Sequence, residues 1–131
     1  MTSPLPALQD VLEQVADAIP GCLFTSVVDS DSGMSLAMAG GFDELIAASA
    51  DAYQSELHRA IHRMIDAVMI QEPLETVVLI ASGMVFVSIP LPRSAFFWHV
   101  VTSVDTTIGF TRAVLRKSQG QVVEAIRPLM I

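Results

Sequence analysis

Lysine and arginine are scarce in this chain of 131 residues: seven, against fourteen acidic residues, leave a formal net charge of −7. That balance argues against nucleic acid as the main partner, because phosphate binding needs clustered cations. It argues equally against docking on an anionic membrane. Charge of either sign is sparse, at 16%, where a soluble domain typically carries about 25%. The lone Cys22 cannot form an internal disulfide, which fits a reducing cytoplasm, and its apolar strand context marks it as a small core residue. Long apolar runs are missing too: Val77-Val78-Leu79-Ile80-Ala81 falls far short of the ~20 residues of a membrane span. Met1-Thr2-Ser3-Pro4-Leu5-Pro6 lacks a basic segment followed by an apolar core, so no secretory signal is expected. There is no G-x-S-x-G, Walker loop, H-E-x-x-H or paired-cysteine motif, so nothing points to an enzyme, a metal or a cofactor.

What the chain has in excess is apolar surface. Hydrophobic residues make up 52% and the mean hydropathy is +0.55. A length of 131 residues suits one domain, 1–131. A single small domain buries only part of its surface, so the excess predicts contact with another subunit. The stretch Phe42 to Met69 makes the same point. Its apolar residues, among them Leu45, Ile46, Tyr53, Leu57, Ile61, Met64, Ile65 and Val68, recur every three or four positions, the mark of one helix face. Polar residues including Asp51, Gln54, Ser55, His58, Arg59, His62 and Arg63 take the opposite face. Such a helix would run roughly 40 Å, long enough to overhang its own sheet and share its surface with a partner.

The other elements are legible in order. Pro4 and Pro6 introduce a helix from about Ala7 to Ile19, which Pro20-Gly21 ends. Strands at Cys22–Asp29 and Met34–Ala39 flank Ser30-Asp31-Ser32-Gly33 as a hairpin. After the long helix, strands at Thr76–Ala81 and Met84–Pro90 surround the turn Ser82-Gly83, and Ala95–Val104 forms the next strand. A last helix runs from Thr107 to about Leu129, weakened by about 1 kcal/mol at Gly120. The strands, Thr76–Ala81 above all, are apolar on both faces, which predicts an α+β, three-layer α/β/α sandwich. The long helix would cover one side of the sheet and the terminal helices the other. Thr76–Ala81 has no Lys or Pro to deter edge pairing, so it is either central or paired with a second chain.

Pro20-Gly21, Val27-Val28-Asp29 and Gly33-Met34-Ser35-Leu36-Ala37 resemble the opening hairpin of the roadblock/dynein-light-chain family. Thr107-Ile108-Gly109-Phe110, followed by Arg112 and Leu115-Arg116, resembles the start of that family's last helix. The likeness extends over roughly Leu8 to Ile126 and is strongest to the bacterial MglB-type members. It implies a five-stranded antiparallel sheet in the order 2-1-5-4-3, related to profilin-like folds. It also implies a homodimer in which the third strands pair edge to edge and the long helices lie side by side, using Thr76, Val78, Ile80, Leu57, Ile61 and Met64. Family members often bind Ras-like GTPases, as activators or as scaffolds, without an obvious catalytic side chain. One departure is Thr107, where the family usually has Asn.

His58, His62 and Asp66 follow one another at four-residue steps on the long helix. Two His so spaced can share a metal, but no further ligands offer themselves and Arg59 and Arg63 would repel a cation. A partner-binding stripe of His58, Arg59, His62 and Arg63, locally positive on an acidic protein, is the better functional reading. An ordinary solvated helix face is the plainer one. His99, among Phe97, Trp98, Val100 and Val101, is expected to be a satisfied core or interface histidine. The alternatives to a GTPase-binding module are a small-molecule sensor with a ligand between sheet and helix, and a module that only self-associates.

Overall fold

The computed structural model describes residues 5–130; the Met1 to Pro4 segment, inspected above for a signal and for Pro4, lies outside the described residues. Helix α1 (Pro6–Ala18) leads into strands β1 (Cys22–Asp29) and β2 (Ser35–Ala39). The long helix α2 (Glu44–Ala67) follows, then β3 (Val77–Ala81), β4 (Met84–Pro90), β5 (Phe96–Ser103) and helix α3 (Ile108–Ile126), which closes in a 3-10 turn. Each boundary has a local cause. Pro6 opens α1 at a position where its missing N–H costs nothing. Asp43 caps α2 by accepting from the backbone N–H groups of Leu45 and Ile46 at 2.9 and 3.0 Å. Thr107 caps α3 by accepting from Phe110 N at 3.2 Å. Gly40, at φ +119°, lets β2 leave the sheet where a Cβ would meet Leu23 O at 2.6 Å.

All five strands are antiparallel, in the order β2-β1-β5-β4-β3. This is the topology implied by the resemblance, and Thr76–Ala81 is resolved as an edge. One face of the sheet carries Val27, Val85, Val87, Trp98 and Val100 against Leu8, Leu12 and Val15 of α1 and Leu115, Val122 and Ile126 of α3. These side chains form the main core. Inside it Trp98 Nε1 donates to Thr25 Oγ1 at 2.7 Å, and that hydroxyl donates to the carbonyl of His99 at 2.9 Å. The second face, under α2, has a much smaller apolar cluster around Phe24, Ala47 and Val101.

Two expectations about packing change. The sheet is not covered from edge to edge, since Val78, Leu79 and Ile80 of β3 are exposed. Apolar composition on both faces of a strand signals burial, but here the chain itself does not supply the cover. The long helix also sits the other way round from its hydrophobic pattern. Ala47, Asp51, Gln54, Ser55 and His58 are its buried residues, while Leu45 (81% exposed), Ile46, Tyr53 (72%) and Met64 face outward.

Candidate interaction surface

The inverted helix follows from the strands beneath it. Ser26 of β1, His99 of β5 and Ser88 of β4 are direct cross-strand neighbours in one row. Side chains of such a row share a face, so three polar groups from three strands meet α2 together. Burying them requires polar partners, and the helix brings Asp51 and His58. His99 Nε2 donates to Asp51 Oδ1 at 2.6 Å, with both side chains buried. His58 Nε2 and Ser88 Oγ share a hydrogen bond of 2.8 Å. The His58 ring also stacks on Phe97, with centroids 4.1 Å apart and planes 9° from parallel. Burial, aided by the nearby His99 and His62, pushes the His58 pKa down to about 4, so the ring is neutral near pH 7. Ser26 Oγ and His99 Nδ1 are buried with no hydrogen-bond partner among the described residues.

With its polar side turned inward, α2 presents a lateral apolar stripe. Met64 is exposed, and Leu57 and Ile61 are half-buried along the same flank. This flank lies roughly 100° around the helix from the residues that meet the sheet, as the 3.6-residue repeat requires. Beyond it stands β3, hydrogen-bonded to β4 on one side and, among the described residues, bordering no strand on the other. Val78 and Ile80 (67% exposed) point to the α1/α3 side, while Leu79 shares the α2 side with Phe86, its partner on β4. Thr76, just before β3, is half-buried. An open, apolar strand edge beside an apolar helix flank is a surface that water disfavours and another chain can complete.

The polar stripe divides. His58, grouped above with the partner-binding residues, is 1% exposed and does not reach the surface. The correction has a simple cause: helix periodicity identifies a stripe but not the side that faces the sheet. Arg59 is half-buried, and its Nη1 donates to the carbonyl of Ser30, tying α2 to the β1–β2 loop. His62 and Arg63 are exposed. His58 and His62 therefore do not converge, and among the described residues no group of three or more His, Cys, Asp or Glu is placed to hold a metal. Cys22 is half-buried, and burial pushes its thiol up to about 11, in keeping with a packing role. Among the described residues no helix is long and apolar enough to cross a membrane.

The Asp51–His99 pair escaped the sequence reading, although a signal existed. Asp51, Ser55 and His58 fall at helical steps, and His99 is the one ionisable group in an apolar strand. Nothing in the sequence alone joins the two.

Searches by sequence find no matching protein-family model and no matching curated protein. Solved structures do match. Myxococcus xanthus MglB superimposes with a TM-score of 0.83 at 11% identity, over 98% of this chain and 94% of that one. The Roadblock/LC7 domain from Streptomyces avermitilis gives 0.77 at 13% identity, over 93% and 96%. An MglB described as having a tetrameric arrangement gives 0.80 at 12% identity, over 98% and 93%. The chain has the roadblock fold.

Proposed function

We propose that this roadblock-fold chain is a homodimeric, non-enzymatic module of the cytoplasm that binds a Ras-like small GTPase and modulates its nucleotide cycle or its location. The observation that carries the reading is the bare β3 edge beside the exposed flank of α2. Across a two-fold axis the same edge and the same flank meet themselves, which is how an isologous interface closes without leaving a further edge. Thr76, Val78 and Ile80 pair the strands, and Leu57, Ile61 and Met64 pack the helices. An MglB of the same fold has been solved in a tetrameric arrangement, so self-association has a precedent at this level of likeness. The GTPase enters through the family resemblance of the sequence. Arg59, His62 and Arg63 are its proposed contacts, a locally basic group on a protein of net charge −7.

The dimer is tested first. Val78→Lys places a charge on the shared edge and should convert a dimer to a monomer in light scattering after size exclusion, with an unchanged circular dichroism spectrum. A wild-type protein already monomeric at micromolar concentration removes the dimer. For the GTPase half, a Ras-like protein encoded beside this gene should co-elute with the dimer and show an altered hydrolysis or exchange rate. Arg63→Glu should weaken that complex. A stable dimer that binds no such GTPase leaves a module whose partner is itself.

A further inference from the structure

A cavity of about 730 Å³ opens at the end of the sheet where β3 stops short of its neighbour. Val77 pairs with Ser88, but Ile89 and Pro90 continue β4 with no β3 residue opposite. The 70–76 connection swings wide there, and the gap is walled by the second half of α2, the β4–β5 turn and α3. The volume falls within the range of about 300–1,000 Å³ common to small-molecule sites.

Three arginines line it: Arg93 from the β4–β5 turn, and Arg112 and Arg116 one turn apart on α3. The whole chain has only seven basic residues, so nearly half of them converge on one opening of an acidic protein. None of the three guanidinium groups has an ion pair or a hydrogen bond among the described residues, whereas Arg59 donates to Ser30 and Arg127 pairs with Glu124. The backbone adds an independent sign. Of the two non-glycine residues with positive φ among those described, Arg93 (+56°) lines this cavity, while Met69 (+61°) ends α2, where the Ile70 N–H reaches back to the Ile65 carbonyl. Backbone held in the left-handed region by a non-glycine residue is disfavoured and gathers at ligand sites.

We propose that this cavity binds a small organic anion, with a single phosphate or carboxylate head held by Arg93, Arg112 and Arg116 and an apolar body resting on Ile65, Leu74 and Phe96. Planar guanidinium forks match both head groups. Asp66, Glu72 and Glu75 line the cavity as well, so a ligand charged along its whole length is repelled and one with hydrogen-bond donors on its body is favoured. Binding here requires neither the dimer nor a GTPase, although Thr76 of the proposed dimer edge and His62 of the proposed GTPase contacts also line the cavity. It lies at the sheet's end, not between sheet and helix, where the small-molecule alternative of the sequence puts its ligand.

The test is an amide NMR titration of the full chain with phenyl phosphate, phenylacetate and inorganic phosphate. Saturable shifts confined to residues 62–66, 70–76, 89–97 and 112–119 are expected, with phenyl phosphate or phenylacetate at least tenfold tighter than inorganic phosphate. The tighter of the two organic probes identifies the head group. Arg112→Gln with Arg116→Gln should weaken binding at least tenfold without altering shifts elsewhere. Arg93→Gly should weaken binding while raising the thermal midpoint, because it relieves the backbone; a purely structural arginine would not give that pair of effects. Shifts that are unsaturable, scattered over the surface, or indifferent to these substitutions overturn the proposal, as does inorganic phosphate binding as tightly as the organic probes.

Discussion

Asp51→Ala should lower the stability of the folded chain by about 3–5 kcal/mol, because it leaves His99 buried against α2 with nothing to accept its Nε2 proton. His99 Nδ1 is already without a partner among the described residues, so the variant strands both ring nitrogens. Domains of this kind have only about 5–15 kcal/mol in total, and at this size the loss corresponds to a fall of about 10–20 °C in thermal midpoint. Asp51→Asn keeps an acceptor oxygen and should cost about 1–2 kcal/mol, separating loss of the hydrogen bond from loss of charge. Urea unfolding of the three proteins side by side gives the values. A midpoint for Asp51→Ala close to that of the wild type would mean the pair does not hold the helix down. The consequence reaches the proposed interface, because α2 carries the apolar flank and is bound to the sheet by few apolar contacts. A helix loosened from its polar seat cannot present Leu57, Ile61 and Met64 in a fixed row, so the same substitution should weaken self-association as well.

The elements were legible because their signals are local. Proline at the first turn of α1, Pro20-Gly21 after it and Ser82-Gly83 between β3 and β4 each act within a few residues. Strand order was not legible from local chemistry; it entered through the likeness of the hairpin and of the last helix, and the sheet has the order so implied. The orientation of α2 was the real failure of pattern reading. A hydrophobic stripe usually faces the core, and the inference breaks when the strands underneath offer Ser26, Ser88 and His99 instead of aliphatic side chains. Those three are scattered over 73 positions of sequence and become neighbours only through strand register. For the same reason His58 looked like a surface contact and is a buried one, while Arg59, His62 and Arg63, further round the helix, stayed outside. The cavity was invisible for a third reason: it exists because β3 is shorter than β4, a difference in length that no residue type records.

The polar layer should also make stability depend on pH in a defined window. His58 has a folded pKa of about 4, lowered first by burial and then by the positive charge of neighbouring histidines. In the unfolded chain the imidazole returns to about 6.5. Between these values the unfolded state binds the proton and the folded state does not, so acidification favours unfolding. The contribution of His58 is therefore fully present above about pH 6.5, declines as the pH falls, and is lost near pH 4, a total of about 3 kcal/mol. His58→Phe preserves the stack on Phe97 and removes the titration. It leaves Ser88 Oγ without its partner, which costs about 1–3 kcal/mol at every pH, so the variant should be weaker near pH 7.5 yet flatter toward pH 4. The fourteen acidic residues are common to both proteins, so the difference between the two curves isolates His58. Urea midpoints taken from pH 4 to 7.5 decide the matter: equal slopes for His58→Phe and the wild type would place the proton elsewhere. A flattened slope would identify the seat of α2 as the acid-sensitive joint of the molecule, the one place where adding a charge pries the platform helix from its sheet.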